Sequence, residues 1–378
     1  MTKEDVSIIK CRDYGAEEVY AAVKKAVDLI GGIKAFARPG ERLLLKPNIL
    51  TAKPPEAAAT THPHVVEAAI RLVKEAGAVP IVGDSPGLGS AIKCAEKSGI
   101  LDVCRRHGAE FVDFKDVRLV DNPGGTFKRF EVAAEALAVD GIINLPKLKT
   151  HAQLYLTLGV KNMFGCVPGK RKPQWHLTAG VDSMYFANML LDLYLFLKPR
   201  LTIMDGIVAM EGNGPGSGTP RQLGLVFAAS NAVALDTTAV DVLGADAEKL
   251  PILKAARLRG IKGSRSEDVA TLGEKINDVR VRDFCFPPLV NIDFASGLPY
   301  FIGTRLRKAL SSRPHIHDKN CTLCNVCVEV CPPGIMEKRD RILIDYDQCI
   351  RCYCCQEVCP QGAITSREGW LKRVIPGL

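Results

Sequence analysis

Short apolar runs alternate along the chain with longer stretches in which apolar residues recur every three or four positions. The runs at 6–9, 42–45, 79–82, 141–144, 201–204 and 224–228 have the length and composition of strands. The stretches at 17–29, 64–76, 91–107, 181–197 and 233–243 repeat with a helical period, several of them just after a Thr, Ser, Asp or Pro that can start a helix. Strands alternating with helices predict an α/β layered fold with a mostly parallel sheet over residues 1–286. The alternation stops over 287–314, where Pro287-Pro288, Gly297, Pro299 and Ser311-Ser312 read as a connector. A small α+β domain rich in cysteine is expected over 315–366, with a tail over 367–378.

The cysteines of that small domain form one phrase written twice. Cys321, Cys324, Cys327 and Cys331-Pro332 are followed by Cys349, Cys352, Cys355 and Cys359-Pro360. Two, two and three residues between ligands, closed by proline, is the bacterial ferredoxin spacing, in which the fourth thiolate of each phrase ligates the other cluster. Two [4Fe-4S] clusters are expected, one on Cys321, Cys324, Cys327 and Cys359, the other on Cys349, Cys352, Cys355 and Cys331. Soft thiolates suit iron and sulfide. A zinc site would use half of these ligands, and disulfides are disfavoured in a reducing cytosol. Cys354 breaks the spacing, so packing beside a cluster is expected of it. Cys11, Cys94, Cys104 and Cys285 show no ligand spacing, and Cys166, after Met163-Phe164, reads as an inert buried thiol.

At 378 residues, 47% hydrophobic and 24% charged, the composition is that of a folded soluble protein. No basic segment followed by an apolar run opens the chain, and no run reaches membrane-spanning length, so a cytoplasmic protein without a membrane span is expected. The formal charge of +8 is not gathered into a nucleic-acid footprint: Lys170-Arg171-Lys172 is short and flanked by prolines. Oligomeric state is not legible.

Polar clusters follow the apolar runs. Lys46-Pro47-Asn48, Gly83-Asp84-Ser85-Pro86-Gly87, Asn144-Leu145-Pro146-Lys147 and Asp205-Gly206 each stand where a strand should end. Parallel strands share a carboxyl edge, so Lys46, Asn48, Asp84, Lys147, His151, Lys161 and Asp205 are expected around one cavity. For each alone, a solvated loop residue is the plainer reading. His151 is placed in a turn that opens a helix, with Lys161-Asn162 further along that helix; its roles range from acid/base group, metal ligand or anion contact to a structural histidine. Gly87-Leu88-Gly89 lacks the third glycine of a dinucleotide fingerprint, where Ile92 stands. The run 212–221 lacks a Gly-Lys-Ser/Thr ending and reads as a mobile lid over the rim.

These segments, with Thr61-His62-Pro63-His64-Val65-Val66, Leu148-Lys149-Thr150-His151, Gly159-Val160-Lys161-Asn162-Met163-Phe164-Gly165 and Glu211-Gly212, resemble the family catalogued as domain of unknown function 362 over most of residues 40–245. The resemblance implies an iron–sulfur redox context, since members are often fused to a two-cluster ferredoxin module, and names no reaction. The leading expectation is a redox protein carrying low-potential electrons, one at a time, between the clusters and a site on the α/β domain. Lys46, Asp84, Lys147, His151 and Asp205 are the candidate catalytic residues, and Asn48, Lys161 and Asn162 the candidate cofactor-binding ones. A redox partner protein and a small anionic substrate are the expected partners. The rival is a carrier or adaptor whose α/β domain docks a partner enzyme and does no chemistry; a third reading is an ATP- or metal-dependent assembly function with structural clusters.

Overall fold

The computed structural model describes residues 3–87, 89–169, 171–288 and 311–369. Most of the connector expected over 287–314, and the tail from 370 onward, lie outside the described residues.

Ten strands form one sheet, in the order β12 (Val269–Gly273), β1 (Glu4–Lys10), β11 (Thr219–Ala229), β10 (Leu201–Glu211), β7 (Gly141–Leu145), β2 (Arg42–Pro47), β3 (Val79–Asp84) and β4 (Glu110–Asp113); β8 (Lys147–His151) joins alongside β10, and β9 (Tyr155–Thr157) pairs with β8. A separate hairpin is made of β5 (Val117–Asp121) and β6 (Arg129–Ala133). The sheet is mostly parallel, with antiparallel pairing where β11 meets β1 and β10 and where β9 meets β8. All six expected strands are present.

Successive side chains of a strand point to opposite faces, and both faces here are apolar. Leu43 and Leu45 of β2, with Val226 and Ala228 of β11, pack against the helices Ala16–Asp28 and Pro63–Glu75 through Val19, Val23, Val66 and Ile70. Leu44, Leu225 and Phe227 face the other way, against Phe186, Leu190, Leu235 and Leu253 of the helices Ser183–Leu197, Ala232–Leu243 and Pro251–Leu258. Helices on both faces make three layers. The helix expected over 91–107 is two, Ala91–Lys97 and Ile100–Arg106, because Gly99 at φ 75° breaks it with a left-handed residue.

The C-terminal domain is built from two antiparallel strand pairs, Arg313–Ile316 with Ile364–Arg367 and Met336–Lys338 with Ile342–Ile344, and the one-turn helices Val326–Glu329 and Cys354–Glu357. The repeated phrase has a repeated backbone. Leu323 and Asn325 in the first copy, and Arg351 and Tyr353 in the second, hold positive φ at matching places between ligands. Such conformations are sparsely populated and persist at ligand-wrapping sites.

Candidate functional site

The eight cysteines line two separate cavities of about 20 Å³ each. Cys321, Cys324, Cys327 and Cys359 surround one, and Cys331, Cys349, Cys352 and Cys355 the other. The fourth cysteine of each copy therefore crosses to its partner's cavity. Among the described residues no three His, Cys, Asp or Glu side chains come close enough to hold one metal ion. Four thiolates spread around a cavity fit a multi-atom cluster with sulfide corners better than a single zinc.

The expected single rim is two sites. Parallel pairing sets Lys46 of β2 opposite Asn144 of β7, and β3 beside β2 brings in Asp84. Lys46 Nζ lies 2.7 Å from Asp84 Oδ1, and both side chains are buried. Asp84 Oδ2 accepts from the Ile49 amide at 2.6 Å. Amides link the neighbours: Asn48 Nδ2 donates to Asn162 Oδ1 at 2.9 Å, and Asn162 Nδ2 to Asn144 Oδ1 at 2.8 Å. Lys149, fully buried, donates to Asn48 Oδ1 and the Ala59 carbonyl, and burial holds its ammonium well below the ordinary lysine range.

Lys46, Asn48, Asp84, Lys161 and Asn162 line a cavity of about 60 Å³, several times the roughly 10–15 Å³ that one water needs. The cavity lies at the seam between the domains. Val330, Cys354, Glu357 and Val358 of the C-terminal domain close one side, and Lys172 and His176 of the helix Arg171–Ala179 another. Burial pushes Lys172 down to about 7 and His176 down to about 3. His176 Nδ1 is buried with no hydrogen-bond partner among the described residues. Gly165 forms part of the wall, and a Cβ there would run into Asp84 Oδ1 and Lys46 Nζ.

Lys147 and Asp205 do not line this cavity. They lie opposite each other in the β8–β10 register and pair at 2.8 Å. Tyr14 closes the group: Lys147 Nζ donates to its hydroxyl at 2.8 Å, and that hydroxyl donates to Asp205 Oδ1 at 2.7 Å. His62 stacks on the Tyr14 ring at 3.5 Å between centroids, and burial drops its pKa to about 3. The network satisfies itself.

His151 is not in a turn before a helix. It ends β8, and the hairpin to β9 intervenes, so Lys161 and Asn162 sit on a separate one-turn helix, Gly159–Asn162. Lys147, Lys149 and His151 alternate along β8 but take different partners: Lys147 pairs with Asp205, and Lys149 bonds Asn48. His151 instead reaches the C-terminal domain: Nε2 lies 2.9 Å from Glu357 Oε1. Its Nδ1 accepts from the Gln153 and Leu154 amides, which leaves the ring proton on Nε2, facing the carboxylate. Burial and then Lys161 hold His151 low, while His151 and Lys161 outweigh burial to keep Glu357 below the usual carboxylate range.

The run 212–221 is no lid over the cavity, for none of its residues line it. It braces the C-terminal domain: Asn213 Nδ2 donates to the Ile364 carbonyl at 3.0 Å and Gln356 Nε2 to the Gly214 carbonyl at 3.2 Å, while Lys53 Nζ of the α/β domain donates to the Gly216 carbonyl at 2.5 Å. Cys354 does more than pack. It is buried and lines the cavity. Cys166 is fully buried, with its thiol pushed up to about 12 by burial. Sequence reasoning missed Lys172, His176 and Glu357: the first two lie in a segment without clear helical periodicity, and Glu357 was absorbed into the cysteine phrase. No helix among the described residues is long and apolar enough to cross a membrane.

A model of a domain of unknown function (DUF362) matches residues 43–241, and one of a 4Fe-4S dicluster domain matches residues 313–367. A thylakoid-associated protein of Synechocystis sp., sll1697, is 40% identical over 297 residues, covering 78% of this chain and 91% of that protein. The lactate racemase apoprotein of Thermoanaerobacterium thermosaccharolyticum aligns at a TM-score of 0.43 and 12% identity, over 64% of this chain and 57% of that one. The chain thus belongs to the DUF362 family and carries a 4Fe-4S ferredoxin-type domain at its C-terminus.

Proposed function

We propose that this is an iron–sulfur redox protein that moves low-potential electrons between two [4Fe-4S] clusters and a small anionic substrate held in the cavity at the domain seam. One observation carries the reading. A cavity lined by Lys46, Lys161 and Lys172 has Cys354 in its wall, and Cys354 lies between Cys352 and Cys355 of one cysteine set. Bound clusters supply single electrons. The chain's own residues do the rest. Lys161, whose ammonium makes no hydrogen bond or ion pair among the described residues, attracts and orients an anionic group, and Lys172, held by burial at about 7, can give up or take a proton near neutrality. The unpartnered His176 Nδ1 and the Glu357 carboxylate are placed to hydrogen-bond polar hydrogens of a bound ligand. The crossed cysteine sets around two cavities support the count of two clusters.

A reducing cytoplasmic setting suits free thiolate ligands, and a redox partner protein is the expected electron source or sink. The Synechocystis relative's name ties that protein to thylakoids; for this chain we take it only as compatible with a redox role.

The test is anaerobic purification with iron, sulfide and small-molecule analysis. About eight irons and eight sulfides per chain are expected from eight ligands. Lys161→Ala should abolish retention of a bound anion while cluster absorbance stays unchanged. Full iron loading with no ligand captured by wild-type protein, together with fast electron exchange with a protein partner, would instead identify a carrier whose α/β domain does no chemistry.

A further inference from the structure

The two copies of the cysteine phrase share a backbone but not an environment. In the cavity of Cys321, Cys324, Cys327 and Cys359, the wall residues Thr322, Cys324, Pro360 and Gln361 are exposed; no residue lining the cavity of Cys331, Cys349, Cys352 and Cys355 is. Matching positions of the two copies explain why. Where the first has Asn325, whose side chain bonds within its own turn to Glu329, the second has Tyr353, 1% exposed and packed on Ala152 of the β8–β9 hairpin. Where the first has Val328 and the exposed Glu329, the second has Gln356, bonded to the Gly214 carbonyl, and Glu357, facing His151. Where the first has Val326, the second has Cys354, buried in the wall of the lysine-lined cavity. Val358, beside Cys359 of the exposed set, also touches that cavity, but Cys354 and Val330 adjoin two ligands of the shielded set.

We propose that the two sets form an ordered relay. Cys321, Cys324, Cys327 and Cys359 hold an outer cluster that exchanges electrons with an external one-electron protein donor, and Cys331, Cys349, Cys352 and Cys355 hold an inner cluster that serves the cavity. The proposal rests on the two-cluster reading above. Each transfer moves one electron, oxidising the donor by one unit and reducing one cluster from its 2+ to its 1+ core, with no bond made or broken in the chain. Exposure decides which cluster an outside protein can approach. Cys354, buried and adjoining the ligand Cys355, is placed to offer its S–H to the inner cluster alone and so to favour that cluster's more negative reduced state.

The experiment uses full-length protein purified anaerobically and reduced with dithionite. A soluble dysprosium chelate should broaden and relax the electron paramagnetic resonance signal of one cluster severalfold more than that of the other. Cys354→Ala should shift the midpoint potential of the less affected cluster to a more negative value and leave the chelate-sensitive one in place; Cys354→Ser, which keeps a donor, should restore most of the shift. A shift confined to the chelate-sensitive cluster, or equal chelate effects on both, overturns the order while the two-cluster reading stands. A single signal with half the expected iron in wild-type protein overturns both.

Discussion

Lys46 and Asp84 are buried together without solvent to share the charge. Removing one partner of such a pair costs about 3–5 kcal/mol, because the other charge is left uncompensated. Lys46→Met should therefore lower stability by that order, measured by denaturant unfolding of anaerobic protein. Gly165 is constrained by the same pair, so Gly165→Ala should cost about 1–3 kcal/mol through overpacking. Asp236 titrates in an informative window. Its burial raises the carboxyl pKa from 3.8 to about 7, against the pull of the Gly159 and Val160 amides it accepts from. An acid with a raised folded pKa binds its proton more tightly when folded, so its contribution is present below the unfolded pKa and lost as pH rises from about 4 to about 7. Asp236→Asn should flatten the decline in stability over that range; an unchanged slope would remove Asp236 as its source. None of these magnitudes was legible in the chain. Lys46 and Asp84 were recognisable as polar residues after strands, but that they meet each other, and that Gly165 must be small to let them, depends on segments far apart in sequence.

At the scale of elements, strand positions were legible because buried parallel strands are continuous apolar runs between turn signals. The reading failed at β8. Lys147, Lys149 and His151 alternate with Leu148 and Thr150, a period of two that the polar character of the exposed-looking positions disguised as a turn. Every one of those positions is buried, because β8 lies against β10 and under the C-terminal domain. His151 now has an element-level role, joining β8 to the helix Cys354–Glu357. His151→Ala should loosen the seam, so that cluster absorbance is lost at a lower temperature than far-UV ellipticity and one transition becomes two. Coincident transitions in the variant would show that the loop at Asn213–Gly216 and the packing of Tyr353 on Ala152 suffice to couple the domains.

At the scale of the whole molecule, the two domains differ in what holds them together. The three-layered α/β domain has two large apolar cores, whereas the C-terminal domain buries few apolar side chains besides its own cysteines. A domain of that size depends on its metal for folding free energy. Anaerobic chelation of iron should therefore unfold the strands and turns of residues 313–367 while most helical ellipticity persists, read by circular dichroism and by amide exchange in 321–331 and 349–359. Global unfolding on chelation would mean that the α/β domain relies on the seam.

The sequence alone determined the 4Fe-4S domain with its repeated cysteine phrase, the α/β layering and the strand ends that carry polar residues, because cysteine spacing, apolar periodicity and turn chemistry are local properties of the chain. Tertiary structure decided how those residues are partitioned. Strand order and register put Lys46 with Asp84 and Lys147 with Asp205 in separate sites, and docking of the second cysteine phrase brought Cys354 and Glu357 to a cavity whose other walls come from β2, β3 and the helix Arg171–Ala179. Contacts between distant segments follow from which faces pack together, and no local pattern encodes that choice.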